Sequence, residues 1–253
     1  MEKDNEIILS VKDLKTYIYV NNRCNRAVDG VSFNVHKGKT LGIVGESGCG
    51  KSITASSIMQ LLPKLSRIES GEIVYHKDDE AIRIDLLERN GKPMRDLRGA
   101  DISMIFQEPM TSLNPSFTIE NQLLEPLLRH KELSKADARN KVIEMLELVG
   151  IKPAEPRLRQ YPHQLSGGLR QRVMIAMSLL CNPDLIIADE PTSALDVVTQ
   201  RQVIETLNKV QKKIGSALIL IGHDMGLMAQ SVDKVAVMYA GEIIEVNEVE
   251  TVF

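Results

Sequence analysis

Gly45-Glu46-Ser47-Gly48-Cys49-Gly50-Lys51-Ser52 is the stretch from which the fold is read. It fits the spacing G-x-x-x-x-G-K-[ST]. Glycines at those positions let successive backbone N–H groups turn inward around phosphate oxygens. Lys51 supplies a point charge for the β and γ phosphates, and Ser52 can ligate Mg²⁺. Thr40 to Val44, just before the loop, reads as a short buried strand. Ser52 to Leu62, just after it, reads as a helix stopped by Pro63. The positive N-terminal end of that helix adds to an anion site, so Gly45 through Ile53 form one phosphate-binding set. At ordinary glycine usage the spacing arises by chance in roughly one chain in a hundred, and the strand-to-helix context narrows that further.

Toward the N-terminus, Ile7 to Leu14 and Val31 to Val35 alternate as strands, with a turn at Asp29-Gly30 and another at His36–Lys39. Beyond the loop, Gly71 to Tyr75 reads as a strand, residues 76–99 as an exposed, highly charged hairpin or loop, and Ile102 to Phe106 as a short apolar strand. The character then changes to helix. Ser134 to Asp137 is a capping-box-like start with Asp in place of Glu, Val142, Met145, Leu146 and Val149 recur at helical spacing, and Gly150 closes that helix. Leu185–Ala188 and Ala217–Gly222 read as buried strands flanking a helix from Val197 to Lys213. Val235–Tyr239 and Glu242–Val246 read as a hairpin turning at Gly241. The expected organisation is a core over about 1–113 and 181–253 with a helical subdomain over about 114–180.

The 253 residues suit one large domain or two small ones. With 31 Lys+Arg against 34 Asp+Glu the net charge is −3, which argues against a strongly basic nucleic-acid surface. No apolar run approaches the roughly 20 residues that span a bilayer. Met1 to Glu6 is charged and lacks a signal-peptide core, so the expectation is a soluble protein not exported by that route. Cys24, Cys49 and Cys181 are far apart, fit a reducing compartment, and form no pair at metal-ligand spacing.

Leu185-Ile-Ile-Ala-Asp189-Glu190 ends an apolar strand with two carboxylates. Asp189 suits Mg²⁺ coordination through water, and Glu190 suits polarising an attacking water. Leu165-Ser166-Gly167-Gly168-Leu169 precedes a helical stretch and offers a second phosphate-binding geometry: free N–H groups, a hydroxyl and a helix end. A single nucleotide has one γ-phosphate, so a second chain facing the first explains both turns.

These residues resemble the ABC-type ATPases. The phosphate loop, Gln107, Leu165–Leu169, Leu185–Glu190 and His223 stand in family order, and Ser193-Ala194-Leu195-Asp196 matches the D-loop. Gln107–Pro115, Tyr161–Gly168, Arg170–Met177 and Val237–Gly241 are similar to the oligopeptide, dipeptide and nickel import branch. The resemblance covers essentially the whole chain. It implies an α/β P-loop NTPase core with an antiparallel β subdomain and a helical insertion, and an ATPase that powers import from the cytoplasmic face of the membrane. It also implies two transmembrane permease subunits, an extracytoplasmic substrate-binding protein, and a second ATPase chain, a paralogue or a copy, paired head to tail; nucleic acid is no partner. ATP and Mg²⁺ are the implied cofactors. Glu190 would be the general base and His223 would contact the γ-phosphate. Ser52, Gln107 and Asp189 would serve Mg²⁺, and Gln107, counted with Glu190 and His223 as catalytic, would sense the ion or the attacking water and connect to the membrane subunits. Ser166 to Leu169 would meet the ATP of the partner chain. A soluble mechanical ABC ATPase and a small-molecule kinase are the competing readings, and nothing in the chain carries the long insertion or second nucleotide domain of the former.

The chain departs from the family pattern in two places. Leu169 stands where Gln or Met is usual, but the expected contacts are made by hydroxyl and backbone. The aromatic residue that stacks on adenine falls by spacing at Ile18. Tyr17 or Tyr19 could stack after a small shift, or Ile18 could give apolar contact alone.

Overall fold

The computed structural model describes residues 6–21, 23–78, 80–107, 112–193 and 195–252. In chain order the elements are β1 (Ile7–Val20), β2 (Arg23–His36), β3 (Thr40–Val44), α1 (Lys51–Ile58), β4 (Ser66–Lys77), β5 (Glu80–Arg83), α2 (Lys92–Leu97), β6 (Ile102–Ile105), α3 (Ile119–His130), α4 (Lys135–Leu148), α5 (Glu155–Leu158), α6 (Gly167–Leu179), β7 (Leu185–Asp189), α7 (Val197–Ile214), β8 (Ala217–Gly222), α8 (Met225–Ala229), β9 (Lys234–Tyr239), β10 (Glu242–Glu248) and α9 (Val249–Val252). Two compact units result: Met1–Arg98 with Ala217–Phe253, and Gly99–Ser216.

The first unit holds an antiparallel sheet in the order β2-β1-β4-β5. It also holds β3 between β8 and β9, parallel to both, with β10 antiparallel on β9. Every residue of β3 is buried, as a parallel strand covered on both faces requires. Ala240 and Gly241 have φ of 48° and 90°, the pair of positive angles that a tight right-twisted hairpin between β9 and β10 needs.

Several expectations for this unit are corrected. The turn expected at Asp29-Gly30 lies inside β2, where Gly30 has φ 88° and β1 and β2 change register repeatedly. Bulges absorb the glycine without ending the strand. Helix α1 stops at Ile58, not Leu62, because Gln60 turns left-handed at φ 51°. Arginines from a distant segment then take the freed carbonyls: Arg98 donates to Met59 O and Gln60 O at 2.8 Å each, and Arg89 donates to Gln60 O at 3.1 Å and to Leu62 O. The charged stretch 76–99 does begin as a hairpin, but it then forms a 3₁₀ turn and α2, with Ile84 and Met94 fully buried. Its apolar residues are too sparse among the charges to show helical periodicity.

In the second unit, β6 and β7 pair in parallel from Ile102↔Leu185 to Ile105↔Ala188. Helix α6 packs on β6 and on α3, α4 and α7. Leu123, Leu127, Val142, Leu146, Val173, Ile175 and Leu207 are fully buried there. Helix α6 packs on β6, and β6 pairs with β7, so these strands and helices share one compact unit, Gly99–Ser216. Ser134 caps α4 as expected: its Oγ accepts from Asp137 N at 3.1 Å and lies 2.6 Å from Asp137 Oδ2.

Candidate functional site

In the first unit the phosphate loop is shaped by close backbone approach. A Cβ at Gly45 would lie 2.1 Å from Met238 O and 2.7 Å from Cys49 Sγ. Gly50, at φ 111°, caps α1, and a Cβ there would lie 2.2 Å from Ala27 O. No side chain caps the helix, so its first N–H groups face the loop. Gly241 N donates to Cys49 O at 2.9 Å, which pins the loop to the β9–β10 turn. Glu46, Ser47 and Gly48 form an exposed rim, while Cys49 is buried at the base.

Lys51 is 4% exposed. Its ammonium donates to Gly45 O and Glu46 O at 2.8 Å each and lies 3.8 Å from Cys49 Sγ. The loop's own carbonyls thus hold the cation where the loop closes. Ser52 is exposed and Ile53 half-buried at the helix start. Strands β3 and β8 run side by side with Val44 opposite Gly222, so Gly45 and His223 leave neighbouring strands at the same level. His223 is exposed, just before Asp224, whose Oδ1 caps α8 by accepting from Leu227 N at 3.0 Å.

The two candidate base-stacking tyrosines differ. Tyr17 donates its hydroxyl to Asp29 Oδ1 at 2.9 Å, and Asp29 N donates to Gly241 O at 2.8 Å, the turn that also pins the phosphate loop. Tyr19 instead donates to Glu69, with the Arg67 guanidinium 4.7 Å from its ring centre. Ile18 is half-buried.

In the second unit, β7 ends at Asp189, which is 6% exposed. Glu190 follows with φ 43°, a left-handed backbone that costs a non-glycine residue about 1–2 kcal/mol. Gln107 Nε2 donates to Glu190 Oε2 at 3.2 Å, across 83 residues of sequence. The two residues extend adjacent strands, which is why they meet.

Leu165 is buried and Ser166 exposed; Ser166 Oγ caps α6 by accepting from Leu169 N at 3.4 Å. The cap uses only the backbone of residue 169, so leucine serves there. Gly167 and Gly168 rest against the D-loop and the helix after it: a Cβ at Gly167 would lie 3.8 Å from Leu195, and one at Gly168 would lie 3.1 Å from the Thr199 methyl. Asp196 fixes Thr199, accepting from its N–H at 3.0 Å and its hydroxyl at 2.6 Å. The Thr199 hydroxyl, then its N–H, hold the Asp196 carboxyl below the usual range. Ser193 N donates to Glu190 O at 3.3 Å. Ala194, the remaining D-loop residue, lies outside the described residues.

Sequence reading missed Asp29 as an anchor of Tyr17, and Thr199 as the support of Gly168. An Asp three residues before a Thr at a helix start is the signal that locates the second. Asp29 reads as a turn residue because Gly30 follows it.

Among the described residues, no helix is long and apolar enough to cross a membrane. The family model of ABC transporters matches residues 28–193. The dipeptide transport ATP-binding protein DppD of Bacillus subtilis is 51% identical over 98% of this chain and 72% of its own length. The oligopeptide transport ATP-binding protein OppD of the same organism is 47% identical over 97% of this chain and 67% of its own. A dimeric ATP-binding cassette solved in a post-hydrolysis state with ADP and phosphate has a similar structure, with a TM-score of 0.82, 26% identity, and coverage of 95% of this chain and 98% of that one. A Clostridium perfringens subunit of an ABC transporter complex superposes with a TM-score of 0.80 at 27% identity, over 98% of this chain and 91% of that one.

Proposed function

This chain belongs to the ABC transporter family, and on that footing we propose that it is the ATP-hydrolysing subunit of an importer for di- and oligopeptides. It binds ATP, and hydrolysis drives transport. Its place is the cytoplasmic face of the membrane, against two permease subunits, with an extracytoplasmic binding protein delivering cargo. A second ATPase chain, a copy or a paralogue, faces it head to tail. Peptides are favoured over nickel or another small solute because the dipeptide and oligopeptide relatives match over nearly the whole chain.

The observation that carries the catalytic reading is the Gln107–Glu190 hydrogen bond at 3.2 Å. A carboxylate held by an amide on one oxygen is oriented, and Glu190 so oriented takes the proton of the attacking water. Lys51 and the loop N–H groups bind the β and γ phosphates, and His223 contacts the γ-phosphate. Ser52, Gln107 and Asp189 offer a hydroxyl, an amide carbonyl and a carboxylate, the hard oxygen donors that Mg²⁺ takes beside phosphate and water. Bound there, the ion would neutralise charge on the transferring phosphoryl group. Ser166 and the Gly167 and Gly168 amides bind the γ-phosphate of the partner's ATP only when the dimer is closed. ATP therefore favours closure, and hydrolysis releases it.

Glu190→Gln tests the catalytic reading: ATP binding should persist while turnover falls by about 100-fold or more. Turnover near wild type would remove Glu190 as the base. The same variant, tagged and held with ATP and Mg²⁺, should recover two integral-membrane proteins and a related ATPase from native membranes. Recovery of this chain alone, or of soluble nucleic-acid machinery, would sink the importer reading.

A further inference from the structure

Strand β2 bulges opposite Tyr17: Thr16 pairs with Val28 and Tyr17 with Arg26, leaving Ala27 as the extra residue. A bulge bends the strand and re-aims the residues around it. Here the re-aimed groups face two ways. The Ala27 carbonyl closes on the phosphate loop, 2.2 Å from where a Cβ at Gly50 would be. Asp29 N donates to Gly241 O at 2.8 Å, and Gly241 N donates to Cys49 O at 2.9 Å. The Asp29 carboxylate accepts the Tyr17 hydroxyl at 2.9 Å on Oδ1 and lies 3.4 Å from Arg26 Nη1 on Oδ2. Lys15 Nζ adds a contact at 3.9 Å. The Arg26 guanidinium carbon sits 5.7 Å from the Tyr17 ring centre.

One carboxylate therefore orients an aromatic ring and a guanidinium, the two side-chain types on which a purine stacks. The backbone of the same residue is two hydrogen bonds from Cys49 in the phosphate loop. We propose that Asp29 is a positioning residue for the nucleotide, holding Tyr17 and Arg26 as a stacking surface for the base at a fixed offset from the loop that binds the phosphates. This takes Tyr17, of the three candidates Tyr17, Ile18 and Tyr19, as the residue that meets the base. The Tyr17 hydroxyl, with Arg26 and Lys15, keeps the Asp29 carboxyl below the usual range, so it is charged at neutral pH. The Tyr19 hydroxyl instead donates to Glu69 and accepts from Arg67 Nη2 at 3.4 Å.

The test is calorimetric titration of the intact chain with ATP and, separately, with inorganic tripolyphosphate, which has phosphates but no base. Asp29→Ala and Tyr17→Phe should each raise the Kd for ATP roughly three- to tenfold, with the double variant no worse than either single one and tripolyphosphate affinity within about twofold of wild type throughout. A role confined to folding would weaken both ligands together. Parallel weakening of ATP and tripolyphosphate in Asp29→Ala overturns the proposal, as does unchanged ATP affinity in both single variants. Tyr17→Ala separates the two layers. If it alone weakens ATP, the Asp29 role fails and the platform stands. If it too leaves ATP affinity unchanged, the platform reading fails and the proposal falls with it.

Discussion

The chain has two glycine-rich turns that open helices, and they are built on different principles. At the phosphate loop, Gly50 itself is the cap, left-handed and without a capping side chain, and backbone oxygens of Met238 and Ala27 press on Gly45 and Gly50. At the Ser166 turn, a serine hydroxyl caps α6, its backbone is ordinary extended chain, and the neighbours of Gly167 and Gly168 are the side chains of Leu195 and Thr199. Backbone cannot retreat as a side chain can. The first turn is therefore a preformed cradle. The second is an adjustable surface, because side chains and not backbone lie against its glycines.

The sharpest test of this contrast is to add one methyl group to each turn. Gly50→Ala forces a left-handed alanine against Ala27 O and should cost about 3 kcal/mol or more of stability, with ATP binding lost. Denaturant titration and ATP calorimetry would read both. If Gly50→Ala folds and binds ATP normally, the cradle is not preformed. Gly168→Ala meets only the Thr199 methyl and should cost about 1 kcal/mol or less, leaving ATP binding intact while hydrolysis falls about tenfold or more. Equal loss of ATP binding in the two variants would erase the distinction. Ser166→Ala should cost about 1 kcal/mol through its cap and again spare ATP binding.

The smallest effect is a pH dependence at the cap of the helix beside the second turn. Asp196 caps α7 and fixes Thr199 under Gly168, and its carboxyl titrates below the usual range in the folded chain. A lowered folded value means that the stabilisation is fully present above the unfolded carboxyl value, about 4, and is lost as pH falls through the folded one. Protection of the Thr199 N–H, taken relative to intrinsic exchange at each pH, should therefore be lost in acid before that of Thr54, whose N–H is held by Gly50 O. Simultaneous loss at both would show that the two turns share one stability.

Much of this was legible in the sequence, for a reason particular to the residues. Thr40–Val44, Leu185–Ala188 and Ala217–Gly222 are short apolar runs bounded by turns, as fully buried parallel strands must be. The motifs at their C-terminal ends announce themselves by residue type. The outer half of β2 did not, because Arg23 to Arg26 are exposed polar residues on an edge strand with no apolar alternation to betray it. Helix α2 did not, because Met94 and Leu97 are its only buried residues. The carbonyls freed at the left-handed end of α1 are taken by Arg89 and Arg98, some 30 to 40 residues away in the chain, which no local window contains. Within the site, Gln107 and Glu190 were each named, but their hydrogen bond is a product of strand register. Asp29 was hidden by the glycine after it.

The second unit is a continuous segment, Gly99–Ser216, whereas the first is made of two pieces that flank it. This has a consequence for synthesis. A ribosome that has reached Ser216 has made all of the second unit and none of β8 or β9, the strands on either side of β3. It has also not made Met238 or Gly241, which press on the phosphate loop and pin it. Such long-range pairing is slow because the chain between must first be brought together. The nascent chain should thus acquire its Ser166 turn early and its phosphate-loop cradle last, so that a polypeptide released at Ser216 should not retain ATP. Premature ATP capture by that fragment would show that the loop does not need those late strands.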